Sequence, residues 1–560
     1  MDLQNVYAKK ALAQIPRLLS MENRNAFSKT YGCFDRTYWL DKAIDFPSSI
    51  LQFSVHSLAL VYSHPLADNP YYKKKKIREW AIAGIEYWMK IQHKDGSFDE
   101  FYPNEHGWAG PTGFLLYVML DSYKLLEKEF PIELKKEFFK ICRKAALYLA
   151  KYDEHGILAN HHAMAILPIY YASKVLKDES LLYNFNDKFN YFLNLQDEEG
   201  WFLEYDGPDI GYLSATVSFL AKLHKISDDS ELKNKIEKAV TKAIHFSSFF
   251  VYPNKYYGGT IGSRQTLHFY PHGYEYFAKS NKLAEAIAQK MLEGLDEGTL
   301  VPPEIMPERY LPYRIPEFLL SYLDFAPRNK TQQKLPFENV PFIQYFKNAK
   351  MYIKKTDNYY AVCNLVKGGV IKIFDLKTNK LILNDCGIIA KTNNQEIITT
   401  QWIDKNYSIG VFEDNEISVS GNLYKMRDIL PSPLKFLMLR GALLILGSST
   451  RLAYILKGLI RNIIILKNKK TPHKFQRKIK FGKKITIEDR ILMKNGENIL
   501  QLLIGDEFSV RYVPQSQYFQ VQELEIAGIK ICEKELIKTN NGELIVTRSI
   551  DPLNGKTSIN

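Results

Sequence analysis

From Asn5 to about Phe325, apolar residues recur at three- and four-residue intervals, broken by clusters of Gly, Pro and Asp. That spacing lines one side of an α-helix and predicts helices over 77–92, 113–129, 134–152, 162–176, 213–226 and 232–249. The breaks are short, and long helices joined by short turns pack antiparallel. From about Phe342 the texture changes to short β-branched and aromatic runs over 350–354, 359–364, 370–375, 388–391, 396–402, 408–413 and 416–424. Turns rich in Asn, Asp and Gly separate them, and similar runs resume at Lys484. This pattern predicts an antiparallel β-sandwich.

A repeat lies inside the helical part. Gln92-x-x-x-Gly96-x-Phe98-x-Glu100-Phe101 matches Gln196-x-x-x-Gly200-x-Phe202-x-Glu204-Tyr205. Each copy ends a helix and leads through a Gly-aromatic pair (Gly107-Trp108, Gly211-Tyr212) into the next. Tyr152-Asp153-Glu154-His155-Gly156 reads as a third, degenerate copy. Repeated helical hairpins with matching loops predict a closed or partly closed ring whose loops collect at one end. At 560 residues the chain is too long for a single core. The expected organisation is an N-terminal (α/α) toroid of helical hairpins over 1–326, a linker over 327–341 and a C-terminal antiparallel β-sandwich over 342–560.

One segment breaks the β pattern, a basic, apolar, helical insertion at 434–470. Its uncharged run 441–450 is too short to cross a bilayer. On one continuous helix, Arg440, Arg451, Lys457 and Arg461 fall within roughly 120°, and Lys435 widens the arc to about 160°. Two readings follow: a helix packed on the sandwich, or an in-plane helix docked peripherally on an anionic membrane.

A net charge of +13 favours anionic partners, while no nucleic-acid-reading motif is present, so nucleic acid is not expected. Aromatic residues make up 13% of the chain, a composition suited to stacking sugar rings. The five cysteines are scattered and unpaired in sequence, which argues against a disulfide framework and a Cys-rich zinc site. The N-terminus shows no secretory signal pattern. The expected location is the cytoplasm, with a peripheral station on the inner face of the membrane as its variant.

The chemistry concentrates in three loops. Asn160-His161-His162 opens a helix, and Glu204-Tyr205-Asp206-Gly207-Pro208-Asp209-Ile210-Gly211-Tyr212 opens the next. The third loop, 256–275, contains Tyr257, Arg264, His268, His272 and Glu275 among three glycines that let backbone approach a ligand. An amide and a guanidinium neutralise a carboxylate, and imidazoles and a phenol move protons beside it. For the Asn-His pair the competing role is a helix cap over buried imidazoles; for Tyr205 and Tyr212 it is packing behind a loop. An earlier cluster, Asp35, Arg36, Tyr38 and Trp39, offers a sugar-stacking wall with a charged clamp, or a structural ion pair. His268 and His272 have the i, i+4 spacing of metal ligands, but Pro271 lies between them. No cofactor or catalytic metal is expected; a structural divalent ion is the one exception considered.

An Asn-His loop, an Asp-Gly…Tyr loop about fifty residues later, a helical toroid and a β-sandwich together resemble the heparinase II/III-like polysaccharide lyases. The resemblance implies that Asn160 neutralises a uronate carboxylate and that Tyr212 and His161 handle protons. It further implies a later histidine, His268 or His272. The expected catalytic set is therefore Asn160, His161, Tyr212, Arg264 and His268. Arg36, Tyr38, Trp39, His162, Tyr205, Asp209, Tyr257, His272 and Glu275 are expected to bind substrate. The expected reaction on an acidic oligo- or polysaccharide is C5 proton abstraction with β-elimination. A uronyl C5-epimerase tailoring a growing glycan, a toroid glycoside hydrolase using two carboxylates, and an inactive glycan-binding assembly protein are the alternatives.

Overall fold

The computed structural model describes residues 3–106, 108–152, 158–329, 331–412, 415–426, 432–447, 449–461, 468–494, 496–505, 529–532, 542–553 and 555–559. Gly107, most of the third repeat copy (153–156) and the insertion's 448 and 462–467 lie outside the described residues.

Six helices form an inner ring, each packing on the next: Ser54–Ser63, Ala109–Leu126, Ala159–Leu176, Ile210–Ile226, His272–Phe277 and Leu311–Leu323, which returns to the first. An outer layer packs on them: Lys75–Lys90, Ile132–Lys151, Ser180–Leu193, Ser230–Ser248, Lys282–Glu297 and Gln4–Leu12. The inner helices are apolar nearly all round because both their faces are covered, whereas the outer ones keep a polar, exposed stripe. The ring is an (α/α) toroid, as the sequence predicts.

The repeat marks equivalent joints of this ring. Gln92 Nε2 donates to the Ile141 carbonyl of the following outer helix at 2.9 Å, and Gln196 Nε2 to that of Ala239 at 2.8 Å. Phe98 stacks on Trp88 at 5.1 Å and Phe202 on Phe192 at 4.8 Å. Gly200 has a φ of +105°, and a Cβ there would sit 2.2 Å from the Lys242 carbonyl oxygen. Gly200→Ala combines left-handed backbone strain with overpacking, and is expected to destabilise the chain by about 3 kcal/mol, read as a lowered Tm.

The β-region has two sheets. Five antiparallel strands in sequence order, Phe342–Phe346, Met351–Lys355, Tyr359–Asn364, Val370–Asp375 and Leu381–Asp385, make the first. Its central strands are buried on both faces. Met351, Ile353, Tyr360, Val362 and Phe374 join the toroid core, while Tyr352, Ala361, Cys363 and Ile371 face the second sheet. Among the described residues that second sheet has ten strands, with Glu416–Lys425 beside Lys470–Phe481 beside Ile485–Leu492 near its centre. Lys470–Phe481 is a strand that the sequence reading missed. Its lysines alternate with buried residues, and the basic texture hides the period of two.

The insertion bridges Glu416–Lys425 and Lys470–Phe481 and corrects the reading of one helix packed on the sandwich. It is not one helix but two, Pro433–Leu446 and Thr450–Arg461, so a single cationic arc does not exist. Its contacts run to the toroid rather than the sandwich. Arg440 pairs with Asp45 at 3.0 Å, Asn104 Nδ2 donates to the Leu443 carbonyl at 3.3 Å, and Lys457 pairs with buried Glu105. No helix among the described residues is long and apolar enough to cross a membrane.

Candidate active site

The loops preceding the inner helices gather at one end of the ring. Phe53, Phe114 and Tyr313 touch across its mouth at 4.9–6.2 Å between centroids. Helix N-termini carry partial positive charge, which suits this end for an anion.

Glu204 is the hub, only 2% exposed. Asn160 donates to its Oε1 twice, from the backbone N–H at 2.8 Å and from Nδ2 at 2.7 Å. Arg264 Nη1 reaches Oε2 at 3.4 Å. The guanidinium carbon of Arg264 lies 4.2 Å from the Tyr212 ring centroid and 5.0 Å from that of Tyr205. Amide, guanidinium and phenol from three separate loops therefore share one small volume.

Local structure explains this convergence. Leu203–Glu204 and Gly207–Pro208 form a two-stranded hairpin whose turn puts Tyr205 at φ +61°, a conformation usually left to glycine. Asp209 is buried, and it caps the Tyr212 helix through its Oδ1 at 3.1 Å. Its Oδ2 accepts from the Arg264 backbone N–H at 2.8 Å, so one carboxylate aligns both loops. Gly262 is required there, since a Cβ would meet Asp209 Oδ2 at 2.6 Å. The first sheet supports the loop from behind. Lys367 Nζ donates to the carbonyls of Thr260 and Gly262 at 2.8 and 2.9 Å, and Asn364 Nδ2 to that of Ile261 at 2.7 Å.

The charges are tuned against each other. Burial pushes the Tyr212 phenol well above its usual range, and Arg264 pulls it back. Burial raises the Glu204 carboxyl, opposed by Arg264 and by the two Asn160 donors. The neighbouring phenolate-capable rings and carboxylates hold Arg264 firmly charged despite its burial.

His161 faces the same mouth, with its ring 6.3 Å from Trp108 and from Phe114. His268 is fully buried, 6.2 Å from the Tyr310 ring, and burial together with Arg314 keeps its imidazole neutral.

Other expected residues lie apart from this cluster. His162 turns to the outer layer, packing on Tyr191 at 5.1 Å. The Tyr257 hydroxyl meets that of Tyr274 at 3.4 Å within the core. His272 is spent on Asp324 at 2.8 Å, and Glu275 on Arg328 at 2.6 Å and on Tyr7 at 2.8 Å. Those partners hold Tyr257, His272 and Glu275 apart from the Glu204 cluster. Arg36 pairs with Glu308 at 2.5 Å and Trp39 donates to the Met21 carbonyl at 2.8 Å, so the cluster around Tyr38 lies at the rim beside the site.

The sequence reading missed Arg309 and Tyr310, and it left Glu204 out of the expected catalytic and binding sets. Arg309 pairs with Glu100 at 2.5 Å and lies 4.0 Å over the Phe101 ring. Glu100-Phe101 is the repeat counterpart of Glu204-Tyr205, so the ring presents two equivalent carboxylate–arginine–aromatic clamps. Only the repeat alignment gave a signal for this pairing.

No sequence family and no curated protein sequence matches the chain. In fold it is similar to the chondroitin AC lyase of Streptomyces coelicolor A3, whose structure was solved in complex with chondroitin sulphate. That match has a TM-score of 0.51 at 8% identity, covering 89% of this chain and 67% of that one. A heparan sulfate lyase from Pedobacter heparinus aligns over 100% of this chain and 89% of its own, at 11% identity and a TM-score of 0.41. At such identities the first likeness is one of fold, a helical toroid joined to a β-sandwich.

Proposed function

We propose that the chain is a polysaccharide lyase acting on a uronate-containing glycan. The observation that carries this reading is the meeting of Asn160, Arg264 and Tyr212 around buried Glu204 at the positive end of the helical ring. That lyases are among the proteins of similar fold agrees with it.

In this reading Arg264 and Asn160 face the uronate carboxylate and hold the charge that develops as C5 loses its proton. Glu204 positions both donors. Tyr212, as phenolate, takes the C5 proton. The electron pair forms the C4–C5 double bond, the C4–O4 bond breaks, and O4 leaves with a proton from Tyr212 or His161. Arg309, held by Glu100, lies one repeat away and is placed to meet an anionic group on an adjoining sugar.

Product chemistry tests the reading. A lyase gives an unsaturated uronate with new near-ultraviolet absorbance. Deuterium uptake at C5 without cleavage identifies an epimerase, and new reducing ends without that absorbance identify a hydrolase. Either of the last two outcomes overturns the elimination.

The pH profile gives a second check. The active form of Tyr212 is deprotonated, and burial holds its pKa above the usual value, so kcat/KM is expected to rise about tenfold per pH unit through the alkaline range. In Arg264→Gln the lowering influence is gone, and the limb moves to higher pH. A limb that does not move in Arg264→Gln takes the base role away from Tyr212.

A further inference from the structure

The helical hairpin over 433–461 has its amphipathicity inside out. On Pro433–Leu446, Leu434, Leu437, Met438, Leu444 and Ile445 recur at helical spacing and are 67, 69, 66, 65 and 73% exposed. On Thr450–Arg461, Leu452, Ile455 and Leu459 form a second outward stripe, 45–54% exposed. The opposite sides are spent on the toroid through Leu443, Arg440 and Lys457. An apolar surface of this kind marks an interaction site.

We propose that this hairpin seats the protein on an anionic lipid surface. Charge selects that occupant. From Ile429 to Ile487 the chain carries 14 Lys and Arg and no Asp or Glu. Exposed Lys435 and Arg451 flank the two stripes. Helices of 14 and 12 residues are too short to span a bilayer, and the toroid holds their inner sides, so they lie in the interfacial plane. A second copy would set exposed Lys435 and Arg451 against their own counterparts, which opposes self-association.

The hairpin also touches the site's own rim. The Lys457 ammonium lies 3.5 Å over the Trp108 ring and pairs with Glu105, on the loop that presents Glu100 to Arg309. A lipid-seated hairpin therefore turns the mouth of the ring towards the membrane, where it meets a glycan held at that surface. This second step rests on the lyase reading; the docking itself does not.

The test is flotation of the full chain with phosphatidylcholine vesicles, with and without phosphatidylglycerol, at low and high salt. Binding is expected only with the anionic lipid, weakened by salt. The double variant Leu437→Glu/Leu444→Glu is expected to bind about a hundredfold more weakly, about tenfold for each exposed apolar side chain removed. Its Tm and its turnover of a soluble glycan stay unchanged. Equal binding by the double variant, or no binding of the wild-type chain to anionic vesicles, overturns the proposal. So does a wild-type dimer in sedimentation that the double variant dissociates, since a second copy then covers the stripes. Loss of flotation with turnover intact leaves the lyase reading standing, and flotation without turnover does the reverse.

Discussion

Tyr212→Phe is expected to lower kcat by about a thousandfold, roughly 4 kcal/mol of barrier, while KM and Tm change little. The ring keeps its place over Arg264, 4.2 Å from the guanidinium carbon, because that contact uses the aromatic face and not the hydroxyl. The helix start is held by Asp209 accepting from the residue's backbone N–H, which phenylalanine also supplies. Only the proton-transfer group is lost. Retention of glycan binding, measured by calorimetry, separates this outcome from a collapsed site. A variant within tenfold of wild type removes Tyr212 from the chemistry.

Arg264→Ala is expected to act on stability and turnover together. Glu204 stays behind in a buried site without its cation, at a cost of about 3–5 kcal/mol. The sign with pH follows from the carboxyl. Burial raises the Glu204 pKa above the usual value, and removing Arg264 raises it further. The folded state then binds a proton more readily than the unfolded chain, so the deficit shrinks below that pKa and grows as pH rises through it. Turnover should fall about a hundred- to a thousandfold as the developing charge loses its fork of donors. Added guanidinium ion, at concentrations below those that unfold the chain, should restore part of the turnover. Arg264→Lys should keep more of the stability than of the activity, because an ammonium supplies charge without the planar fork.

The ring was legible because its constraint is local. Inner helices covered on both sides read as nearly unbroken apolar runs, and the joints repeat a glutamine, a glycine and an aromatic at fixed offsets. Asn160 and Tyr212 stood out for a related reason, since each sits where a joint opens the next helix, and Arg264 stood out because its loop is dense in glycine, histidine and tyrosine. Arg309 and Tyr310 lie in an ordinary-looking Pro-Glu-Arg-Tyr turn, and what qualifies them is the partner Glu100, some two hundred residues away. The opposite failure befell His272 and Glu275. Their neighbourhood is as polar and aromatic as that of Arg264, yet Asp324 and Arg328 claim them from distant segments. The insertion misled for a third reason. A hydropathy pattern tells which residues share a helix face, but not where Gly447 will end the helix.

The five-stranded sheet belongs to two cores at once. One face interleaves with the toroid, where Tyr360 donates to the Phe249 carbonyl at 2.6 Å and Phe374 stacks on Tyr252 at 4.7 Å, and the other face fills the sandwich. Neither half can therefore open its interior without uncovering part of the other. The chain should melt as a single cooperative unit rather than in two steps, and a lesion deep in the sandwich should silence chemistry performed in the ring.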